Sequence, residues 1–134
     1  MTYQIKQAAF ETVMAEIRER SKKRIYQHDF IAWQWDVLGE RMYEKMAEIS
    51  NDVLFGEKPK TLIKSSNGSG KTFSSARWAM WWVSAFPPEE SLAILTAPTL
   101  RQVQLGTFAY IKDRYGFAKS QAMLENKPNP MPGW

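Results

Sequence analysis

The sequence predicts an α/β fold, in which a parallel sheet is flanked by helices and preceded by N-terminal helices. Three observations lead to this expectation. A short strand candidate, residues 61–64, runs into a glycine-containing loop, a strongly helical stretch follows, and the apolar run 91–97 then has the length of a central strand. This order is typical of a βαβ unit with parallel strands. The sheet is expected to be incomplete, since no further strand candidate follows.

Composition sets broad limits on the class of protein. The 134 residues suffice for one domain with a core, and the net charge of +4 permits a nucleic-acid partner without requiring one. The sequence contains no cysteine, which excludes disulfides and thiolate metal sites. No apolar run approaches the ~20 residues that span a bilayer, and the N-terminus has no secretory signal. We therefore expect a soluble protein of the cytoplasm with no membrane partner.

Residues 5–24 are expected to form an amphipathic helix. Apolar side chains recur there at intervals of four, at Ile5, Ala9, Val13 and Ile17. The helix ends in a basic cluster, made of Arg18, Arg20, Lys22, Lys23 and Arg24. This cluster is either a solvated helix end that suits the helix dipole or a patch that contacts phosphates.

A second helix is expected to begin after Asp29, a good N-cap, and to carry an apolar face from Ile31 to Val53 that Gly39 weakens locally. Turn residues follow. The sequence thus divides into an N-terminal helical segment, residues 1–55, and a truncated nucleotide-binding core, residues 56–134.

Residues 71–86 are apolar on nearly all sides, which predicts a helix buried between layers. Pro87 and Pro88 end it. A further helix is expected at about 100–114, and the proline-rich tail should be irregular.

The segment between the first strand candidate and the buried helix matches the Walker A spacing, G-x-x-x-x-G-K-[ST], with serine at the first position. It consists of Ser65, Ser66, Asn67, Gly68, Ser69, Gly70, Lys71 and Thr72. Such a loop, a P-loop, surrounds phosphates with backbone N–H donors at a helix N-terminus. Lys71 would reach the β- and γ-phosphates, and Thr72 would offer its hydroxyl to Mg²⁺. The alternative is a Gly-Ser turn that caps a helix.

A hydrolytic carboxylate is not evident. A P-loop ATPase needs an acid at the end of a second strand, and none of Glu89, Glu90 and Asp113 ends an apolar strand. We therefore expect the chain to hold nucleotide phosphates without hydrolysing ATP unaided.

Three segments together resemble the N-terminal ATPase region of tailed-phage large terminases. They are HDFIAWQWDVL, TLIKSSNGSGKTFSSARWAMWW and LAILTAPTLRQV, which lie between about residues 29 and 103. The resemblance implies that Gln34, beside an aromatic residue, pairs with the adenine edge; alternatively it is an amide on an exposed helix side. The Ala-Pro-Thr segment either has a functional role or is a plain turn with Thr99 as N-cap.

The resemblance further implies an ATP- and Mg²⁺-dependent motor that packages viral DNA, with hydrolysis driving translocation. Its partners would be double-stranded DNA, the capsid portal and either further copies or other terminase subunits, in the cytoplasm of a bacterial host. The family continues with a second acidic strand and a nuclease domain, so this chain is expected to be part of a longer protein. Two alternatives remain: another P-loop motor such as a helicase, and a non-catalytic interaction module, which an exposed face at Trp78 or Trp81 would favour.

Overall fold

The computed structural model describes residues 2–58, 60–64, 70–87 and 89–127. They form the helices α1 (Thr2–Tyr26), α2 (Phe30–Trp33), α3 (Glu44–Phe55), α4 (Lys71–Ala85), α5 (Leu100–Leu105) and α6 (Thr107–Leu124), with a π-helical segment, Gln34–Leu38, directly after α2. No residue in these ranges lies in a β-strand. The predicted P-loop-type α/β fold with a parallel sheet is therefore wrong for the described part of the chain, which is all helical.

Both strand candidates are described, and both are irregular. Residues 61–64 and 91–97 belong to neither a helix nor a strand. A β-strand exists only when its peptide groups bond to a neighbouring strand, and neither segment has one among the described residues. A central strand would also be covered on both faces. Instead Leu92 is 75% exposed and Ile94 is 74% exposed.

Helix α4 is the centre of the packing, because α1, α3 and α6 all contact it. The core joins residues of α2, the π-helical segment, α4 and α6: Phe30, Trp33, Leu38, Ala76, Met80, Trp81, Ala85, Ile111 and Ala118. Trp81 meets the rings of Phe30, Phe55 and Phe86 edge-on at 5.5–6.1 Å between centroids. The sequence-based prediction of a buried helix here, ending before Pro87, is confirmed.

Helix α1 is also confirmed as a helix, but none of its residues is buried. The apolar positions Ile5, Phe10, Val13 and Ile17 are all about half exposed or more. Its C-terminal end is attached to the core, since the Trp81 Nε1–H donates to the Tyr26 carbonyl at 2.7 Å. The apolar stripe thus indicated the helix correctly and its burial incorrectly.

The second predicted helix begins as expected and then breaks. The Asp29 carboxylate accepts a hydrogen bond from the Ala32 N–H at 3.0 Å, which is an N-cap. Helical structure stops at Gly39, whose φ of 64° is left-handed. Glycine adopts this conformation without strain, so it ends the helix instead of only weakening it. Helix α3 then restarts at Glu44.

The last predicted helix is two helices, because the chain turns at Gly106 between α5 and α6. Thr99 caps α5: its hydroxyl accepts from the Gln102 N–H at 3.2 Å, and the Gln102 side chain bonds back to the Thr99 N–H. This is a complete capping box. Among the described helices, none combines the length and apolar character needed to traverse a lipid bilayer.

Candidate functional site

The first turn of α4 contains the end of the Walker-type segment. Gly70 precedes the helix with a left-handed φ of 89°, and Lys71 and Thr72 are its first two residues. A Cβ at position 70 would meet nothing within 4 Å, so the backbone conformation, and not space, favours glycine there. The Gly70 carbonyl accepts the first helical hydrogen bond, from the Ser74 N–H at 2.8 Å.

The electrostatics of this helix start suit an anion. The N-cap residue is Gly70, which has no side chain to cap the helix, and the first turn contains no acidic residue. The N–H groups of a first turn have no partner within the helix and carry the positive end of its dipole. Thr72 is exposed, and Lys71 is partly exposed and has a contact of its own within the chain. The other predicted loop residues, Ser65, Ser66, Asn67, Gly68 and Ser69, lie outside the described residues.

Gln34 is the second predicted element of the site, and it is fully buried in the π-helical segment. The alternative of an amide on an exposed helix side is therefore wrong. Within the described part of the chain, neither Gln34 Nε2 nor Gln34 Oε1 has a hydrogen-bond partner. A buried amide without partners costs free energy, about 1–3 kcal/mol for each unsatisfied group. Such a group calls for an explanation, and a polar partner that binds there is one.

Trp33, the neighbour of Gln34, and Lys71 lie toward different ends of α4. The Trp33 Nε1–H donates to Ser84 Oγ at 3.0 Å. Ser84 is 13 residues after Lys71, about 20 Å along a helix that rises 1.5 Å per residue. The structure therefore holds the neighbour of Gln34 beside the C-terminal half of α4, away from the first turn.

An ion-pair network, which the sequence did not lead us to expect, joins three segments through one carboxylate. Arg77, only 1% exposed, pairs through both Nε and Nη2 with the Glu40 carboxylate, at 2.8 and 3.0 Å. Arg77 Nη1 also donates to the Tyr110 carbonyl at 2.9 Å, and Arg114 Nε pairs with Glu40 Oε1. The network connects α4 and α6 to the loop after the π-helical segment.

The electrostatic balance of this network favours the ionised carboxylate. Burial of Glu40 opposes ionisation, but hydrogen bonds from Arg77 and Arg114 outweigh burial and hold the pKa of Glu40 below its usual value. One sequence signal could have revealed the network. Arg77 is the only charged residue of α4 after Lys71, and a lone charge in a helix that is otherwise apolar and buried needs a partner.

A cavity of about 580 Å³ lies between the end of α1, the π-helical segment and α6. Its lining includes none of the predicted nucleotide-binding residues. Its charged residues are balanced in sign: Glu19, Lys22, Lys23, Asp36, Glu125 and Lys127. At its edge the Tyr26 hydroxyl donates to Asp36 Oδ2 at 2.8 Å, and burial together with this bond raises the pKa of Tyr26.

Carboxylates do not gather near the start of α4. Within the described ranges, no group of three or more His, Cys, Asp or Glu side chains could hold a metal ion. Glu89, Glu90 and Asp113 are all exposed. Comparison with protein-family models, with curated proteins and with solved structures found no match to this chain.

Proposed function

We propose that this chain binds ATP through the first turn of α4, as the N-terminal part of a viral DNA-packaging motor of the large-terminase type. The observation that carries the proposal is the coincidence of motif and helix. The Gly-Lys-Thr end of a Walker-type spacing falls on the start of a helix, with Gly70 left-handed and no acid in the first turn. Neither feature alone would suffice, because short Gly-Lys-Thr sequences are common.

The residues of this turn have the chemistry that a triphosphate requires. The Lys71 ammonium would contact the β- and γ-phosphates, the first-turn N–H groups would donate to phosphate oxygens, and the Thr72 hydroxyl would join the Mg²⁺ ligands. Bound ATP supplies the phosphoanhydride bond whose cleavage drives a motor. Residues 65–69 belong to the same proposal on sequence grounds alone.

Gln34 is proposed to contact adenine, because its amide has a donor and an acceptor and neither has a partner among the described residues. In this conformation the amide is shielded from solvent. Contact with a base therefore requires the π-helical segment to move. Single π-helical turns are frequent at functional sites, and this one ends at a left-handed glycine that can act as a hinge.

By itself the chain should bind ATP without turning it over. Hydrolysis needs a carboxylate to hold Mg²⁺ or orient water and a cation to stabilise the transition state, worth ~10³ to 10⁵ in rate. Arg77 cannot serve as this cation, since Glu40 and the Tyr110 carbonyl occupy its donors. Phosphate release near background is expected; release well above background that Lys71→Ala abolishes would contradict the proposal.

The proposed setting follows from the same resemblance. Double-stranded DNA and the capsid portal would be the partners, the cytoplasm of a bacterial host would be the location, and hydrolysis in the intact motor would drive translocation. The basic cluster at the end of α1 supports a phosphate-rich partner, because all five cations are exposed.

Calorimetric titration of the chain with Mg²⁺-ATP tests nucleotide binding. We expect wild type to bind and Lys71→Ala to lose most of the affinity. The matched control is Lys119→Ala, which removes an equal charge from an exposed position of α6 and should change nothing. Equal binding by wild type and Lys71→Ala, or no binding by wild type, would refute the proposal.

The role of Gln34 is tested by comparing ATP with GTP. Wild type should prefer ATP, and Gln34→Ala should remove the preference. Since Gln34 is buried, far-ultraviolet circular dichroism must first show that the variant is folded. A preference for ATP that survives in the folded variant would exclude Gln34 as the adenine contact. The proposal that the first turn of α4 binds phosphates would be unaffected.

A second candidate, a non-catalytic interaction module, is favoured by one observation: the apolar stripe of α1 is exposed along its length. Trp78 and Trp81, whose exposure would have favoured this candidate, do not support it. Trp81 is buried, and Trp78 is half-buried and donates to Ser50 Oγ at 2.8 Å.

A helicase-type motor would share the same phosphate contacts, so activity on DNA, and not ATP binding, separates it from the packaging motor.

A further inference from the structure

The segment 91–97, Ser-Leu-Ala-Ile-Leu-Thr-Ala, has the side-chain pattern of a strand without being one. Ser91, Ala93 and Leu95 are half-buried, and Leu95 packs against the core. The alternate residues Leu92, Ile94 and Thr96 are exposed. This period of two is that of a strand with one face on the protein and the other in solvent.

The peptide groups of the segment are also unpaired within the described part of the chain. The backbone of residues 92–97 forms no hydrogen bond to another described residue. Pro98 lacks an N–H and bounds the segment at its end, and Pro87 lies before its start. An extended apolar stretch with unpaired peptide groups is a template for pairing with another strand.

The charges on either side of the segment favour antiparallel pairing with an identical segment. Residues 91–97 are uncharged, Glu89 and Glu90 precede them, and Arg101 follows; all three charged residues are exposed. An antiparallel pair of identical segments brings the acidic start of one copy beside the basic end of the other. A parallel pair would place like charges together, which is destabilising.

We infer that residues 91–97 pair antiparallel with the same residues of a second copy, and so form a two-stranded ribbon across a two-fold dimer. The contact is isologous, the commonest arrangement for a homodimer. It places Leu92 and Ile94 of both copies on one face of the ribbon, where they lie beside the apolar side chains of the other copy. The pairing does not depend on nucleotide binding.

Sedimentation velocity of the full chain over a wide concentration range tests the inference. We expect a monomer–dimer equilibrium that Ile94→Lys weakens about tenfold or more, because each substitution counts twice in a symmetric pair. The matched control is Ile5→Lys, an exposed isoleucine of α1, which should leave the equilibrium unchanged. A monomer at every concentration, larger aggregates, or a dimer that tolerates Ile94→Lys would overturn the inference.

Charge reversal tests the antiparallel direction. Glu90→Arg and Arg101→Glu should each weaken the dimer several-fold, and the two together should restore it. Since the chain has no cysteine, Ile94→Cys, at the position that lies opposite itself in the antiparallel pair, offers a second readout. Oxidation should link this variant into dimers, whereas Lys119→Cys on α6 should stay monomeric under the same conditions. Failure of the double reversal to restore the dimer, or equal linking of both cysteine variants, would refute antiparallel pairing.

Discussion

Helices α1 and α4 both look apolar in the sequence, yet they have opposite positions in the molecule. Helix α4 is surrounded by other helices and buries residues along most of its length, whereas α1 buries none over its 25 residues. The difference lies in what each apolar side chain meets. Trp81 fits among three rings and donates to a carbonyl, while no side chain of α1 is buried against another segment. The spacing of apolar residues thus predicts a helix, but it does not predict which other helices pack against it.

The largest contrast is expected from removing a ring in each helix. Trp81→Ala should lower the free energy of unfolding by ~3–5 kcal/mol, since it leaves a cavity in the packed core. Phe10→Ala, at a position 65% exposed in α1, should change it by less than ~0.5 kcal/mol. Urea unfolding of both variants measures this. Similar losses would mean that α1 is covered in solution.

The next contrast concerns the charge that α4 buries. Glu40→Gln leaves Arg77 without its carboxylate, and should cost about 2–3 kcal/mol at neutral pH, less than a fully buried pair because Arg114 is partly exposed. The folded-state pKa of Glu40 is lowered, so the carboxylate stabilises the fold above its unfolded-state pKa of about 4.5. That contribution is lost as the pH falls through the folded-state pKa.

The difference in stability between wild type and Glu40→Gln should therefore shrink as the pH falls. Urea unfolding at a series of pH values from neutral to acid checks the sign. A difference that stays constant would show that shape, and not charge, accounts for the role of Glu40.

A smaller effect is expected at the surface of α1. Glu19 pairs with Lys22 at 3.8 Å, and both side chains are a third exposed or more. Such a pair is worth ~0–1 kcal/mol. Lys22→Ala should thus leave the thermal midpoint nearly unchanged. A marked fall would indicate that the basic end of α1 is held more firmly than its exposure implies.

Local signals in the sequence predicted local structure well. Asp29 and Thr99 cap helices as their side-chain chemistry requires, and α4 begins at Lys71. The absence of a sheet from the described residues could not be predicted in this way. Residues 61–64 and 91–97 would form strands only beside a neighbouring strand, and a short stretch of sequence does not show whether that neighbour is present.

The ion-pair network was missed for a related reason. Glu40, Arg77 and Arg114 are far apart in the chain, and only the packing of α4 against α6 brings them together. In the candidate site, the sequence predicted the helix start and singled out Gln34. It gave no sign that Gln34 would be fully buried, or that its neighbour Trp33 would bond to the C-terminal half of α4.

Amide hydrogen exchange with and without Mg²⁺-ATP tests the central claim most directly. Phosphates held by the first turn of α4 should slow exchange at Lys71 to Phe73, whose N–H groups have no partner within the helix. Exchange along α1 should not change, and Lys71→Ala should abolish the protection. Unchanged exchange at the first turn of α4 under saturating ATP, or protection confined to α1, would contradict the account.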